Sequence, residues 1–359
     1  MMLAGNKGEW SEVYALLKII SDKQLYRGDG NLKKIKNAVM PIIKILREES
    51  DGTYEYEIDQ NIVVINGAGL EFKVSILDFQ LQAQNLLTII KSSNANFEVP
   101  EIEKFISSFN CKSLKANSRV KSDIRIVLHD AKTGISPELG FSIKSQLGSA
   151  STLLNAGKTT NFIYKLEGEK LTADFIEEIN QISSASKIKD RLAKISNLNR
   201  KLTFVKTEKS VFSNNLTLID SALPPILAEI VYIFYTTTNT KLSDLVADVT
   251  AKNPMNFDIS EQHPFYVYKV KRLLTDIALG MMPSKVWTGE LEATGGYLVV
   301  KDDGQVLAYH IYNRNDFEDY LFNNTKLETA STSRHGFGVI YEQEGTQFFN
   351  LNLQIRFIK

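Results

Sequence analysis

Apolar residues at helical spacing open the chain: Trp10, Val13, Leu17 and Ile20 recur on one face with polar residues between them, predicting an amphipathic helix from about Glu9 to Ile20. A second helix is expected from about Leu32 to Arg47, kinked near Pro41, after a break at Asp29-Gly30-Asn31. The period then falls to two. Tyr54, Tyr56 and Ile58 alternate with Glu55, Glu57 and Asp59; Ile62-Val63-Val64-Ile65, an Asn66-Gly67 turn and Phe72-Lys73-Val74 follow, so an antiparallel meander is expected from Thr53 to Leu77. Residues 78–110 return to helical spacing, and Asp123 to Leu128 and Gly140 to Lys144 read as two strands around a loop holding Gly134 and Pro137. From Thr172 to about Ser284 the signal is mostly helical, including Lys187 to Ile195, Pro225 to Tyr235, Leu242 to Val249 and Tyr266 to Leu279. Beyond Met282-Pro283 strand-like runs dominate, at Gly296 to Val300, Val306 to Tyr312, Gly338 to Tyr341 and Asn350 to Phe357.

The expected architecture is therefore α/β in the mixed α+β sense, with boundaries near 170 and 285: a first region of sheet and helix (1–170), a helical subdomain (171–285) and a strand-rich C-terminal region (286–359). Composition supports a packed core, with 43% hydrophobic and 23% charged residues and only eight prolines among 359 positions. The single cysteine, Cys111, excludes a disulfide framework and a Cys-rich zinc site. No apolar run approaches the roughly 18–20 residues of a membrane span, and Met1 to Asn6 lacks the features of a secretory signal, so no membrane partner and a cytoplasmic location are expected. Formal net charge is zero, yet it is segregated: residues 51–100 carry two Lys/Arg against seven Asp/Glu, and 101–210 carry nineteen against twelve. Such a distribution permits a polyanionic partner without requiring one.

The chemistry concentrates in Ser122-Asp123-Ile124-Arg125-Ile126 and Gly140-Phe141-Ser142-Ile143-Lys144-Ser145. In a strand Ser142 and Lys144 share a face while Phe141 and Ile143 point to the buried side, and if the two strands pair Asp123 can lie beside Lys144. A carboxylate and an ammonium so held suit phosphodiester hydrolysis, the carboxylate binding Mg²⁺ and the lysine supporting water and developing negative charge. The arrangement resembles the PD-(D/E)XK nuclease motif, with Ser122 in place of the proline and Ser142 in place of the second acid. Glu138 could supply the missing carboxylate only across a sharp bend after Pro137, since a straight strand sets it about 20 Å from Lys144. Glu9 and Glu12, neighbours on one face of the first helix, are better placed, although Asn6-Lys7-Gly8-Glu9 also has the spacing of a capping box.

A wider set of segments is similar to the HpaII family of type II restriction endonucleases. They are Gly5 to Glu12, Gly140 to Gly148 with Gln146, Thr152 to Ala156 with Thr160-Asn161-Phe162, Tyr309 to Asn313, Thr325 to Glu328, Ser333-Arg334-His335-Gly336-Phe337-Gly338 and Asn352 to Phe357. The resemblance implies a restriction-endonuclease-like central mixed sheet flanked by helices, with the nuclease core in 1–170 and DNA recognition in 286–359. It also implies Mg²⁺ dependence, cleavage of double-stranded DNA within CCGG, and a methyltransferase as genetic partner. From the residues, Arg334 and His335 in the polar loop Ser331 to Gly336 are the candidates for base reading, because the guanidinium fork matches guanine O6 and N7. Ser333, Asn155, Asn161 and Gln146 join them as expected DNA contacts, with Lys158 and Lys165 as phosphate partners. Asp123 with Glu9 or Glu12 is expected to hold the metal, with Lys144 and Ser142 completing the catalytic set. A palindromic target favours a homodimer on DNA.

Other chemistries lack their residues. Gly157-Lys158-Thr159 lacks the earlier glycine that a P-loop needs, and the histidines at 129, 263, 310 and 335 have no zinc-ligand spacing. The loss of an acid at Ser142 leaves one rival from another class, a DNA-binding protein with a decayed, inactive nuclease core.

Overall fold

A computed structural model describes residues 3–115, 122–129, 134–291 and 294–359. The chain falls into two compact units, Met1–Ser151 with Leu291–Tyr320 and Lys359, and Thr152–Glu290 with Leu321–Ile358.

The first unit is built on a mixed nine-stranded sheet. Its strands run in the order Gln24–Gly28, Val306–His310, Gly296–Val300, Glu138–Ser145, Ile124–Leu128, Lys34–Glu49, Gly52–Asp59, Ile62–Gly67 and Leu70–Ser75. Gln24–Gly28 also pairs with Lys34–Glu49, with Gln24 opposite Pro41, which closes the first six strands into a ring. The helices Lys7–Asp22, Ile76–Ser92 and Pro100–Ser107 cover the sheet, and Trp10, Val13, Leu17 and Ile20 of the first helix are each fully buried in its core. The expected amphipathic helix and the expected meander are both present.

The expected second helix is not: Lys34–Glu49 is a single long strand. Its Val39, Ile42, Ile43 and Ile45 are β-branched and lose side-chain freedom in a helix, and Pro41 would delete a helical hydrogen bond. As a strand the segment pairs with Gln24–Gly28, Ile124–Leu128 and Gly52–Asp59, partners no local window can see. Its ladder is irregular between Ile42 and Lys44, next to Pro41, where the sheet tolerates the missing donor.

The second unit packs the helices Ala173–Asn180, Lys187–Asn197, Ser210–Ile219, Leu223–Thr236, Leu242–Lys252 and Phe265–Leu279 with two small sheets. One sheet has the order Lys201–Thr207, Asn161–Glu167, Thr346–Asn352, Ile340–Gln343; the other has Thr152–Leu154, Ile355–Phe357, Thr325–Leu327. Leu223–Thr236 is apolar on nearly every side and correspondingly buried. No single described helix is long and apolar enough to cross a membrane. Lys201–Thr207 is a strand within a stretch expected to be helical, because Asn161–Glu167 offers it a partner. Arg314–Asn323 and the single turn Thr332–His335 are helices in a tail expected to be rich in strands.

Candidate active site

Two strands and one helix build the site within the first unit. Ile124–Leu128 and Glu138–Ser145 pair antiparallel, with Ile124 opposite Phe141. Asp123 continues that ladder past its end: its N–H donates to the Phe141 carbonyl at 2.9 Å, and its Oδ2 accepts the Ile143 N–H at 2.6 Å. The carboxylate therefore stands where the strands stop bonding each other. Phe141 is fully buried, and Ile143 packs against the same core, so this part of the strand has a firm apolar backing. Lys144 extends over the ring of Tyr297, its Nζ 4.9 Å from the ring centroid, and Ser142 lies opposite Tyr297 in the parallel neighbour Gly296–Val300.

The first helix supplies the remaining groups, and it is fastened to the strand Glu138–Ser145 by a 2.8 Å contact between the Ser11 and Ser145 hydroxyls. Its two acids have different fates. The Glu9 carboxylate is engaged twice: Oε2 accepts the Asn6 N–H at 2.7 Å in a capping box, and Oε1 meets the Lys115 ammonium at 2.7 Å. Lys115 and then the Asn6 N–H hold its pKa below the ordinary value. Glu12 has no hydrogen bond or ion pair among the described residues. Burial, reinforced by the negative charge of Asp123, pushes its pKa up to about 7, against the pull of Arg47 and Lys115. Burial also raises Asp123, outweighing the Ile143 N–H and the Lys144 ammonium, and burial lowers Lys144 in spite of Asp123 and Glu12. Glu12, Asp123 and Lys144 thus feel one another in a poorly solvated corner, where charge is strong and costly. Glu9, Glu12, Lys115, Ile143 and Ser145 line a cavity of about 650 Å³ there.

Glu138 is paired with Arg125, which also engages Glu48, and so is occupied elsewhere. Gln146 ties the end of the catalytic strand to its neighbour through a 2.8 Å bond from its N–H to the Val300 carbonyl. Two site residues escaped the sequence reading. Arg47 is buried, bonded to Glu49 at 3.0 Å and to the Ser113 carbonyl at 2.6 Å, and its charge lowers the pKa of Glu12 and Asp123, while Lys115 sits at the cavity wall. Reading Lys34–Glu49 as a strand would have put Arg47 and Glu49 on one face and exposed the pair. Among the described residues no group of three or more His, Cys, Asp or Glu side chains is placed to hold a metal.

The second unit holds the expected recognition residues. Arg334 and Ser333 are exposed on the turn Thr332–His335, which is capped by Ser331 and ended by Gly336 in the left-handed conformation. Asn161 is fully buried and holds this turn from beneath: its amide donates to the His335 carbonyl at 2.9 Å and to Glu208 at 2.7 Å, while its oxygen accepts from Asn352 at 2.7 Å. A buried amide so engaged presents nothing to a ligand. Asn155 is exposed, and so is Lys158, whose Cε lies 3.8 Å from where a Cβ on Gly336 would stand. Lys165 pairs with Glu167 at 3.2 Å. His310 is buried in the first unit, its Nδ1 accepting the Tyr312 N–H at 2.9 Å, in the structural role its aromatic neighbours suggest.

Comparison with known proteins adds three findings. The family model described as the HpaII restriction endonuclease matches residues 6–357. The type II restriction enzyme HpaII of Haemophilus parainfluenzae is 48% identical over 359 residues, covering 99% of both chains. No solved structure matches.

Proposed function

The chain belongs to the HpaII restriction endonuclease family and is a type II site-specific endonuclease of double-stranded DNA; from that premise we propose that it hydrolyses phosphodiester bonds within CCGG, with Mg²⁺ held by Asp123 and Glu12. The observation that carries the mechanism is the placement of Asp123 at the end of one strand pair, its carboxylate held by the Ile143 N–H at 2.6 Å, with Lys144 on the paired strand and Glu12 lining the adjacent cavity. Type II restriction endonucleases generally use a divalent metal, and the donor set here fits one. Asp123 and Glu12 are hard oxygen donors, each raised in pKa by burial, and a dication would relieve the cost of ionising both. Magnesium usually keeps several waters and takes only one or two carboxylates, so two suffice. Glu12 is preferred to Glu9, whose carboxylate is spent on its cap and on Lys115.

When bound, Mg²⁺ supplies Lewis-acid neutralisation of the scissile phosphate. The protein's own groups do the rest. Lys144 orients the attacking water and donates to the phosphate oxygen on which charge accumulates, in a corner where burial lowers its pKa and solvent is scarce. Asp123 is aligned by the Ile143 N–H, so its orientation is set before substrate arrives. Glu12 makes up from the helix the carboxylate that Ser142 lacks on the strand. Arg334 and His335, with Ser333, Asn155 and Gln146 as further DNA contacts, are assigned to the duplex, Arg334 to a guanine edge. Asn161 is assigned to supporting the turn. A homodimer, a cognate methyltransferase and a cytoplasmic location complete the reading, since a two-fold target is cut on both strands and host DNA needs protection.

Digestion of one fully sequenced plasmid, with Mg²⁺ and with EDTA, tests this reading through the mapped ends. Ends confined to CCGG and absent in EDTA are expected; ends at another sequence overturn the specificity, and undiminished cutting in EDTA overturns the metal.

A further inference from the structure

In the second unit a cavity of about 390 Å³ opens beside the recognition turn, between the start of the helix Lys187–Asn197 and the segment Thr329 to Ser333. Its polar lining comes from Ser186, Lys187 and Lys189 on one wall and Ser331, Thr332 and Ser333 on the other, and none of its lining residues is acidic. Lys189 donates to the Thr237 carbonyl. The Lys187 ammonium has no hydrogen bond or ion pair among the described residues, and the Ser186 hydroxyl does not cap its helix. Asp190, the acid in the first turn of that helix, is engaged by Ser184 and does not line the cavity. Hydroxyls and ammoniums without carboxylates make a poor cation site and a good one for a tetrahedral anion rich in acceptors.

The helix bearing Lys187 is also coupled to the turn. Ile188 packs against Gly338, where an added Cβ would come within 3.1 Å of its Cγ1, and buried Arg191 donates to the Gly338 carbonyl as well as to those of Asn180 and Ile182. An anion held by Lys187 would therefore fix the stretch that carries Arg334. We propose that this cavity takes a DNA backbone phosphate, and that Lys187 is a positioning residue which sets the recognition turn on the duplex. The inference rests on the reading of this protein as a DNA endonuclease and deepens it. A chain of zero net charge must draw its phosphate contacts from local clusters such as this one.

The test measures binding of the full-length protein to a CCGG duplex and to a scrambled duplex across a salt series, in EDTA so that nothing is cut. Lys187→Gln is expected to weaken the scrambled duplex by about 3- to 10-fold and the CCGG duplex by more, and to reduce the slope of log affinity against log salt by about one on both. Lys187→Arg is expected to keep the wild-type slope. An unchanged slope and affinity in Lys187→Gln overturns the phosphate site, as does a loss confined to the CCGG duplex or an equal loss in Lys187→Arg. A wild-type protein that neither binds nor cuts duplex DNA overturns the functional reading itself, and this site with it. A wild type that cuts normally beside an unaltered Lys187→Gln overturns the phosphate site alone.

Discussion

The proposed catalytic corner and the proposed recognition turn treat polar groups in opposite ways. At the corner, Glu12, Asp123 and Lys144 are withdrawn from water, and their protonation is displaced by burial. At the turn the buried polar groups belong to the scaffold: Asn161 and Arg191 bond backbone carbonyls, and Arg334 and Ser333 stand out in solvent. Phosphodiester hydrolysis is served by charge held where solvent screens it poorly, which is the environment of these three groups. Reading a base edge needs side chains that are free until DNA arrives on a backbone that is already rigid. Buried polarity is thus left unrelieved in one region and consumed by architecture in the other.

The largest effect should come from Lys144→Ala, which removes the cation proposed to act on the phosphate: cleavage is expected to fall about a thousandfold while binding to the CCGG duplex survives. Single-turnover cleavage and duplex binding in EDTA measure the two halves, and loss of both together would erase the contrast. Next, Arg334→Ala is expected to narrow the preference for CCGG over one-mismatch sites by about 10- to 100-fold. Competition between cognate and mismatched duplexes reads this, and an undiminished preference would remove base reading from the turn.

The smallest effect sharpens the electrostatic side. The folded pKa of Glu12, about 7, lies above its ordinary 4.5, so the folded state holds this proton more tightly than the unfolded chain. The wild type therefore loses stability as pH rises from 4.5 toward 7, and Glu12→Gln escapes that loss. The variant should be about 1–2 kcal/mol more stable than wild type at pH 8 in EDTA, with the gap closing toward pH 4. Thermal melts at the two pH values would show it. For the same reason Mg²⁺ must displace a proton, so cleavage at limiting Mg²⁺ should decline as pH falls below about 7.

Much of the site was legible because it rests on local periodicity. Ser142 and Lys144 on one side of a strand and Phe141 and Ile143 on the other follow from a period of two, and the burial of Trp10, Val13, Leu17 and Ile20 follows from helical spacing. The capping box at Asn6 and Glu9 was legible for the same reason, since both partners lie within one turn. What could not be read involved partners distant in the chain. Lys34–Glu49 carries apolar residues compatible with either period, and only pairing with three other strands makes it extended. Arg47 disappeared with that misreading.

The sequence alone determined the character of each element and the chemical types available: an acid before one strand, a lysine on the next, two acids on the first helix and a guanidinium in a polar loop. Tertiary structure alone decided which acid remains uncommitted. Glu9 and Glu12 share a helix face and the sequence marks only Glu9 as a possible cap, but it takes Lys115, more than a hundred residues later, to pair with Glu9, while burial beside Asp123 leaves Glu12 unpaired and holding its proton up to about pH 7. It likewise made Asn161 a support for the turn, because His335 and Asn352, far off in the chain, close around its amide. The physical reason is range: periodicity acts over a few residues, whereas burial and ion pairing depend on which distant groups the fold brings within a few ångströms.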